Sequence, residues 1–168
     1  MRKVTFVTTW GTIDKDYWVW KWIYDIEPSN PVAWEILDKN KVNRNYETIE
    51  VLRKDSLDIT DKDRLKIKQT VKNVKNDKII ITHWTDTMIQ TWKYLKDIKD
   101  KIIILVGAAR PYKMKETDAE FNLGFALWAL EILSQIKKYW VYIAMNWELF
   151  NIDEVEKQED GTFKRIDN

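Results

Sequence analysis

The chain has 168 residues, with 28 basic and 27 acidic side chains and no cysteine. That length predicts a single domain over residues 1–168, and the balanced charge offers no field for nucleic acid or an anionic membrane. Without cysteine there are no disulfides, zinc–thiolate sites or thiol nucleophiles; with no signal-peptide pattern and no apolar run long enough to span a bilayer, a cytoplasmic setting is expected.

Lys3–Thr9 reads as a first strand, with Val4, Phe6 and Val7 apolar, ending in the turn T-W-G-T-I-D around Gly11. From Asp16 to Asn30, Tyr17, Trp18, Trp20, Trp22 and Tyr24 can alternate as a strand. Pro28 and Pro31 close that pattern quickly, so a long aromatic loop is expected. Pro31–Asn40 predicts a short helix, with Asn30 as its cap and Pro31 in its first turn. Tyr46–Leu52 alternates like a strand and runs into R-K-D-S-L-D-I-T. Thr60–Asn76 predicts an amphipathic helix capped by Thr60, with Leu65, Ile67, Val71 and Val74 as its apolar stripe.

Lys78–Ile81 is a continuous, mostly β-branched run, which suits a strand covered on both faces, and it opens into the oxygen-rich turn T-H-W-T-D-T. Asp86–Lys96 predicts a helix, Lys101–Val106 a buried strand, Gly107–Lys115 a loop, Thr117–Leu133 a helix and Val141–Met145 a strand. The stretch from Glu154 reads as a charged tail. Alternating strands and helices imply a three-layer α/β fold, a mostly parallel sheet with helices on both faces, in a Rossmann-like or flavodoxin-like topology. No G-x-G-x-x-G turn is present, so no cofactor is expected.

Parallel strands place their carboxyl ends on one edge, where open α/β sheets keep ligands. Thr12, Ser56 with Asp58, Thr85 with Asp86, and Lys157 can converge there, supplying hydroxyls with a Lys–Asp relay as base. Taken singly, a Thr or Ser after a strand more often merely caps the next helix. His83 is the lone histidine and reads as a hydrogen-bonding structural residue; with no second His and no Cys, no metal is expected. The pairs Asp58 with Asp61 and Glu116 with Asp118 read as solvated caps, and the aromatic group at 17–24 as core or lid.

Two motifs carry a resemblance. H-W-T-D-T-M at His83–Met88 resembles the H-G-T-D-T-M of bacterial-type L-asparaginases, and T-T-W-G-T-I-D resembles their T-G-G-T-I. D-S-L-D at 55–58, G-A-A-R-P followed by D-A-E-F-N-L, and I-A-M-N at 143–146 follow in that family's order. The resemblance implies an amidohydrolase acting on asparagine or a similar small amide. It casts Thr12 as nucleophile, Tyr24 or its rival Tyr17 as the loop tyrosine, and Ser56 and Asp58 as holders of the substrate's amino-acid head. Thr85, Asp86 and Lys157 match the family's second threonine, its aspartate and its lysine, and the family pairs subunits as dimers or tetramers. Full-length members carry a smaller C-terminal domain that this chain lacks, so a short single-domain form is expected, and an amidase component of an amidotransferase is an alternative.

Composition adds one anomaly. There are 10 Trp and 4 Gly, so glycine is about 2% of the chain where roughly 7% is ordinary. Trp10, Trp84, Trp128 and Trp147 stand where the resemblance has glycine or a small residue, and Trp140 where a turn before a strand favours glycine. This reads as a gene from a lineage in which UGA encodes glycine, translated with UGA as tryptophan. The alternative is that Trp10 and Trp84 are native and plug the pocket of a non-catalytic binding module.

Overall fold

The computed structural model describes residues 3–18, 23–26, 31–43, 45–54 and 58–166. In chain order these form β1 (Val4–Thr8), β2 (Lys15–Trp18), β3 (Ile23–Ile26), α1 (Val32–Lys39), β4 (Tyr46–Glu50), α2 (Asp61–Asn73) and β5 (Lys78–Thr82). There follow α3 (Met88–Leu95), β6 (Ile102–Val106), α4 (Ala119–Gln135), β7 (Val141–Met145), β8 (Glu148–Phe150), β9 (Val155–Lys157) and β10 (Phe163–Arg165). Six strands make one sheet in the order β4-β1-β5-β6-β7-β8, all parallel except β8, which runs antiparallel to β7.

Covering both faces of the sheet is what the unbroken apolar runs require. Odd-numbered residues of the central strands, such as Ile79, Ile81, Ile103 and Leu105, pack with Ile67 and Val71 of α2 and Trp92 and Leu95 of α3. Even-numbered ones, such as Phe6, Ile80, Ile104 and Val106, pack with Ile36 and Leu37 of α1 and Leu123, Ala126 and Leu130 of α4. Each such side chain contributes about 1.5–3 kcal/mol of burial. The three-layer α/β reading therefore holds.

The next two strands of this sheet along the chain lie on opposite sides of β1, β4 on one and β5 on the other, so the chain reverses its winding between β4 and β5. Open α/β sheets bind their ligands at such a reversal, here beyond the carboxyl ends of β1 and β5. The turn T-W-G-T-I-D follows β1 and T-H-W-T-D-T closes β5, which puts both threonine motifs at this switch point.

Several expectations need correction. The described residues of the stretch at 16–30 are strand and not loop: β2 and β3 pair antiparallel, with Tyr17 opposite Tyr24, while 19–22 and 27–30 lie outside the described residues. Aromatic residues favour strands, and the prolines follow the second strand without interrupting it. In α2, Thr60 does cap, with Asp63 completing the capping box, but Leu65 is 48% exposed and Arg64 is buried instead. The region after Glu154 is no tail, because Val155 and Phe163 are buried and anchor the hairpin β9–β10. In the turn before β7 the left-handed residue is Lys137, with φ of 53°, and not Trp140.

Candidate active site

β1 and β5 run in register, Thr8 beside Thr82, and both hydroxyls are buried without a protein partner among the described residues. One residue on, the Thr9 N–H and hydroxyl both donate to the Thr82 carbonyl, at 3.2 and 2.9 Å. This zips the two strand ends together as their turns begin. Gly11 then lies against the other turn: a Cβ there would sit 2.8 Å from the carbonyl carbon of His83. Close backbone approach is what glycine permits. Thr12, half-buried, opens a single helical turn over Thr12–Asp14, and Thr85 is buried to 8% exposure in the facing turn.

His83 holds the second turn in shape. It is fully buried, its Nδ1 lies 2.8 Å from the Trp84 carbonyl and its Nε2 2.8 Å from the Thr91 hydroxyl. A carbonyl can only accept, so Nδ1 carries the proton and Nε2 accepts from Thr91. Burial lowers the imidazole's pKa to about 4, keeping it neutral. The histidine is thus structural, as its solitary place in the sequence implied.

The cationic partner comes from far along the chain. Lys157, at the end of β9, forms an ion pair with Asp86, its ammonium donating to Oδ1. The hairpin carrying Lys157 is docked by Asn146, whose Oδ1 accepts the N–H of Phe163, the residue opposite Lys157 in the ladder. Arg165 adds bonds to Glu148 and to the Leu149 carbonyl at 3.2 and 3.0 Å. Sequence reasoning did not assign Asn146 this task; its place in I-A-M-N was the available signal.

The remaining site candidates are less closely placed. Asp58 is exposed, in the segment leading to α2. Ser56 lies outside the described residues, and so do the side chains of Tyr17 and Tyr24. Asp61 pairs with Arg64 at 3.0 Å. Asp118 accepts the N–H groups of Ala109 and Arg110, each at 3.0 Å, while the Asn122 amide donates to the Gly107 carbonyl at 3.1 Å. The blocks G-A-A-R-P and D-A-E-F-N-L therefore act as one braced corner. Among the described residues no group of three or more His, Cys, Asp or Glu can hold a metal ion.

Both tryptophans of the motifs are buried at this edge. Trp10 is 1% exposed with φ of 57°; its indole donates to Glu50 at 2.8 Å and lies under the Arg53 guanidinium at 3.8 Å. Trp84, 5% exposed, donates to the Lys54 carbonyl at 3.0 Å, with the Lys15 ammonium 4.1 Å from its ring centre.

A mostly parallel α/β sheet with two hydroxyl-bearing turns and a Lys–Asp pair at its switch point defines a class of open-sheet, threonine-rich site. Residues 3–168 match the family model described as Asparaginase, N-terminal, and the chain belongs to that family. It is 34% identical over 119 residues to the glutaminase-asparaginase of Acinetobacter glutaminasificans, covering 67% of this chain and 36% of that protein. Its fold matches that of a probable cytoplasmic L-asparaginase from Campylobacter jejuni, with a TM-score of 0.77 and 23% identity, over 97% of this chain and 51% of that one. The chain thus spans about half or less of the length of these two relatives. Among the described residues no helix is long and apolar enough to cross a membrane.

Proposed function

We propose that this chain is an amidohydrolase acting on asparagine or a similar small amide, with Thr12 as nucleophile. The observation that carries this is the apposition of the Thr12 turn and the Thr85–Asp86 turn at the β1/β5 switch point, with Lys157 paired to Asp86. In this reading the Thr12 hydroxyl attacks the side-chain carbonyl of the amide, an ester forms, and the amide nitrogen leaves as ammonia once it has gained a proton. Water then cleaves the ester, releasing the acid and restoring the hydroxyl. Lys157 with Asp86 activates Thr85 or its bound water, the base that a hydroxyl nucleophile needs.

Ser56 and Asp58 would hold the substrate's α-carboxylate and α-amino groups, and Tyr24 or Tyr17 would supply the loop tyrosine. The same family reading favours homo-oligomers, as dimers or tetramers. A second reading is favoured by the burial of Trp10 and Trp84 beside the two threonine turns: the indoles plug the crevice and the chain binds without turnover.

Ammonia release from asparagine separates the two. The Trp10→Gly, Trp84→Gly variant is expected to hydrolyse asparagine faster than the chain carrying both tryptophans, and Thr12→Ala in that background to abolish turnover. Equal, negligible ammonia from both forms would remove the amidohydrolase reading.

A further inference from the structure

The segment that carries Thr12 is closed on itself by one side chain. Asp14 is 2% exposed, and its Oδ2 accepts the N–H of Gly11 at 3.0 Å while its own N–H donates to the Gly11 carbonyl at 3.0 Å. Thr12 is held inside this double closure. The other carboxylate oxygen, Oδ1, accepts the N–H of Val32 at 2.9 Å. Val32 is the first residue of α1, whose Ala33, Ile36 and Leu37 are packed into the core. A single carboxylate thereby ties the Thr12 turn to a helix that cannot move without disturbing that core. The neighbouring Ile13 is fully buried, and its carbonyl accepts from Tyr112 at 3.2 Å, so the turn is fixed from a third side.

We infer that Asp14 is a positioning residue for Thr12, setting the direction of its hydroxyl through the Gly11 and Val32 bonds; this rests on the amidohydrolase reading above. The chemistry requires an ionised acid. Two N–H donors converge on its two oxygens, and an amide must present its NH2 to one of them. Burial opposes that ionised form and lifts the pKa to about 6, against the pull of the Val32 and Gly11 bonds and of Arg53, with Glu50 adding to the rise. Arg53 and Glu50, at and beyond the end of β4, are the charged groups that act on it. The negative charge also suits the start of α1.

The tether was not visible as such in the sequence. Asp14 belongs to T-W-G-T-I-D, but its second partner lies 18 residues away, beyond the β2–β3 hairpin. Asn30, the cap expected for α1, lies outside the described residues; Asp14 accepts the N–H of Val32, with Pro31 at the helix boundary.

The test uses the full chain, in whichever form turns over, with Asp14→Asn and Val32→Pro as variants. Proline suits a first helical position; it removes the N–H that Oδ1 accepts and puts its Cδ in that place, so the Asp14 carboxylate must turn away while remaining an acid. For Asp14→Asn, kcat is expected to fall about 10–100-fold with KM within about 3-fold, since a misplacement of about 1 Å can cost about 100-fold. For Val32→Pro the fall should be smaller but in the same direction. Amide exchange followed by NMR should show loss of protection at Gly11 in Asp14→Asn, with Ile80 and Ile104 unchanged. Unchanged kcat in either folded variant, or a rise in KM alone, would overturn the role. An Asp14→Asn protein that fails to fold leaves Val32→Pro to decide. Absence of turnover from every form, the tryptophan-to-glycine variant included, would instead remove the reaction and the inference together.

Discussion

Lys157 and Asp86, 71 residues apart, are joined by an ion pair that links the β9–β10 hairpin to the turn after β5. The pair brings a cation to the edge where the two threonine turns meet, and it is partly exposed, with the lysine side chain at 23% and the aspartate at 47%. An exposed pair of this kind adds little stability. Under the proposed amidohydrolase reading its value lies in proton transfer. Replacing Lys157 with Met is therefore expected to leave the melting temperature close to its starting value and to lower kcat for amide hydrolysis by about 100- to 10,000-fold, the usual range for loss of acid–base assistance. Steady-state ammonia release and a thermal melt on the same samples check both halves.

Much of the architecture was legible because its signals are local. Ile79–Ile81 and Ile102–Val106 are uninterrupted apolar runs, and each became a strand buried on both faces. The threonine motifs could be put at strand ends for the same reason. Other features depend on partners distant in sequence. Val155 and Phe163 look incidental in a charged stretch until β9 and β10 pair and bury them. Tyr17 and Tyr24 read as loop residues until the chain folds back between them. Asn146 shows its task only once the Phe163 N–H arrives from 17 residues away.

Gly11 offers a test of how tightly the two threonine turns are packed. A methyl group there would meet the His83 carbonyl carbon at 2.8 Å, its oxygen at 2.9 Å and the Trp84 nitrogen at 3.0 Å, all backbone atoms that cannot rotate aside. One turn must move away from the other. Gly11→Ala is expected to destabilise the fold by about 1–3 kcal/mol, the ordinary cost of overpacking. It should also lower kcat, because the displaced turn carries Thr12. Urea unfolding and turnover at saturating asparagine measure the two effects, and a variant with unchanged stability would mean that the turns are not in contact.

Two buried groups give stability a pH dependence with opposing signs. His83, lowered from 6.5 to about 4 by burial, is neutral in the fold while the unfolded chain binds a proton below about pH 6.5. The unfolded state therefore binds more protons between about pH 4 and 6.5, and stability falls as pH drops through that window, by about 3 kcal/mol in all. Asp14, raised from 3.8 to about 6, does the reverse: the folded state binds the extra proton, so stability rises by about 3 kcal/mol as pH drops from 6 toward 3.8. The two contributions largely cancel between pH 4 and 6. His83→Gln should expose the Asp14 contribution, and Asp14→Asn the acid loss caused by His83. Urea midpoints at half-unit steps from pH 4 to 7 resolve the opposite slopes; parallel profiles for the two variants would contradict the assignment.

The tryptophans can be judged by backbone geometry. Asn146 and Trp147 are the two residues between β7 and β8, and both have positive φ, 52° and 66°. Two-residue hairpin loops of this hand are most at home as Asn-Gly, because a Cβ is strained there. Trp10, with φ of 57°, is in the same region. Left-handed backbone costs a residue with a Cβ about 1–2 kcal/mol, and a bulky indole is an outlier in it. Trp147 regains part of that cost through its ring contacts with Phe121 and Phe125, at 4.9 and 5.0 Å between centroids. Trp147→Ala should lose those contacts and keep the strain, whereas Trp147→Gly loses the contacts and removes the strain. The glycine variant is therefore expected to be more stable than the alanine variant by about 1 kcal/mol, read as a higher urea midpoint. The reading of these positions as glycine also predicts UGA at codons 10 and 147. UGG at those two codons, or an alanine variant as stable as the glycine one, would make the tryptophans native and favour the plugged, non-catalytic form.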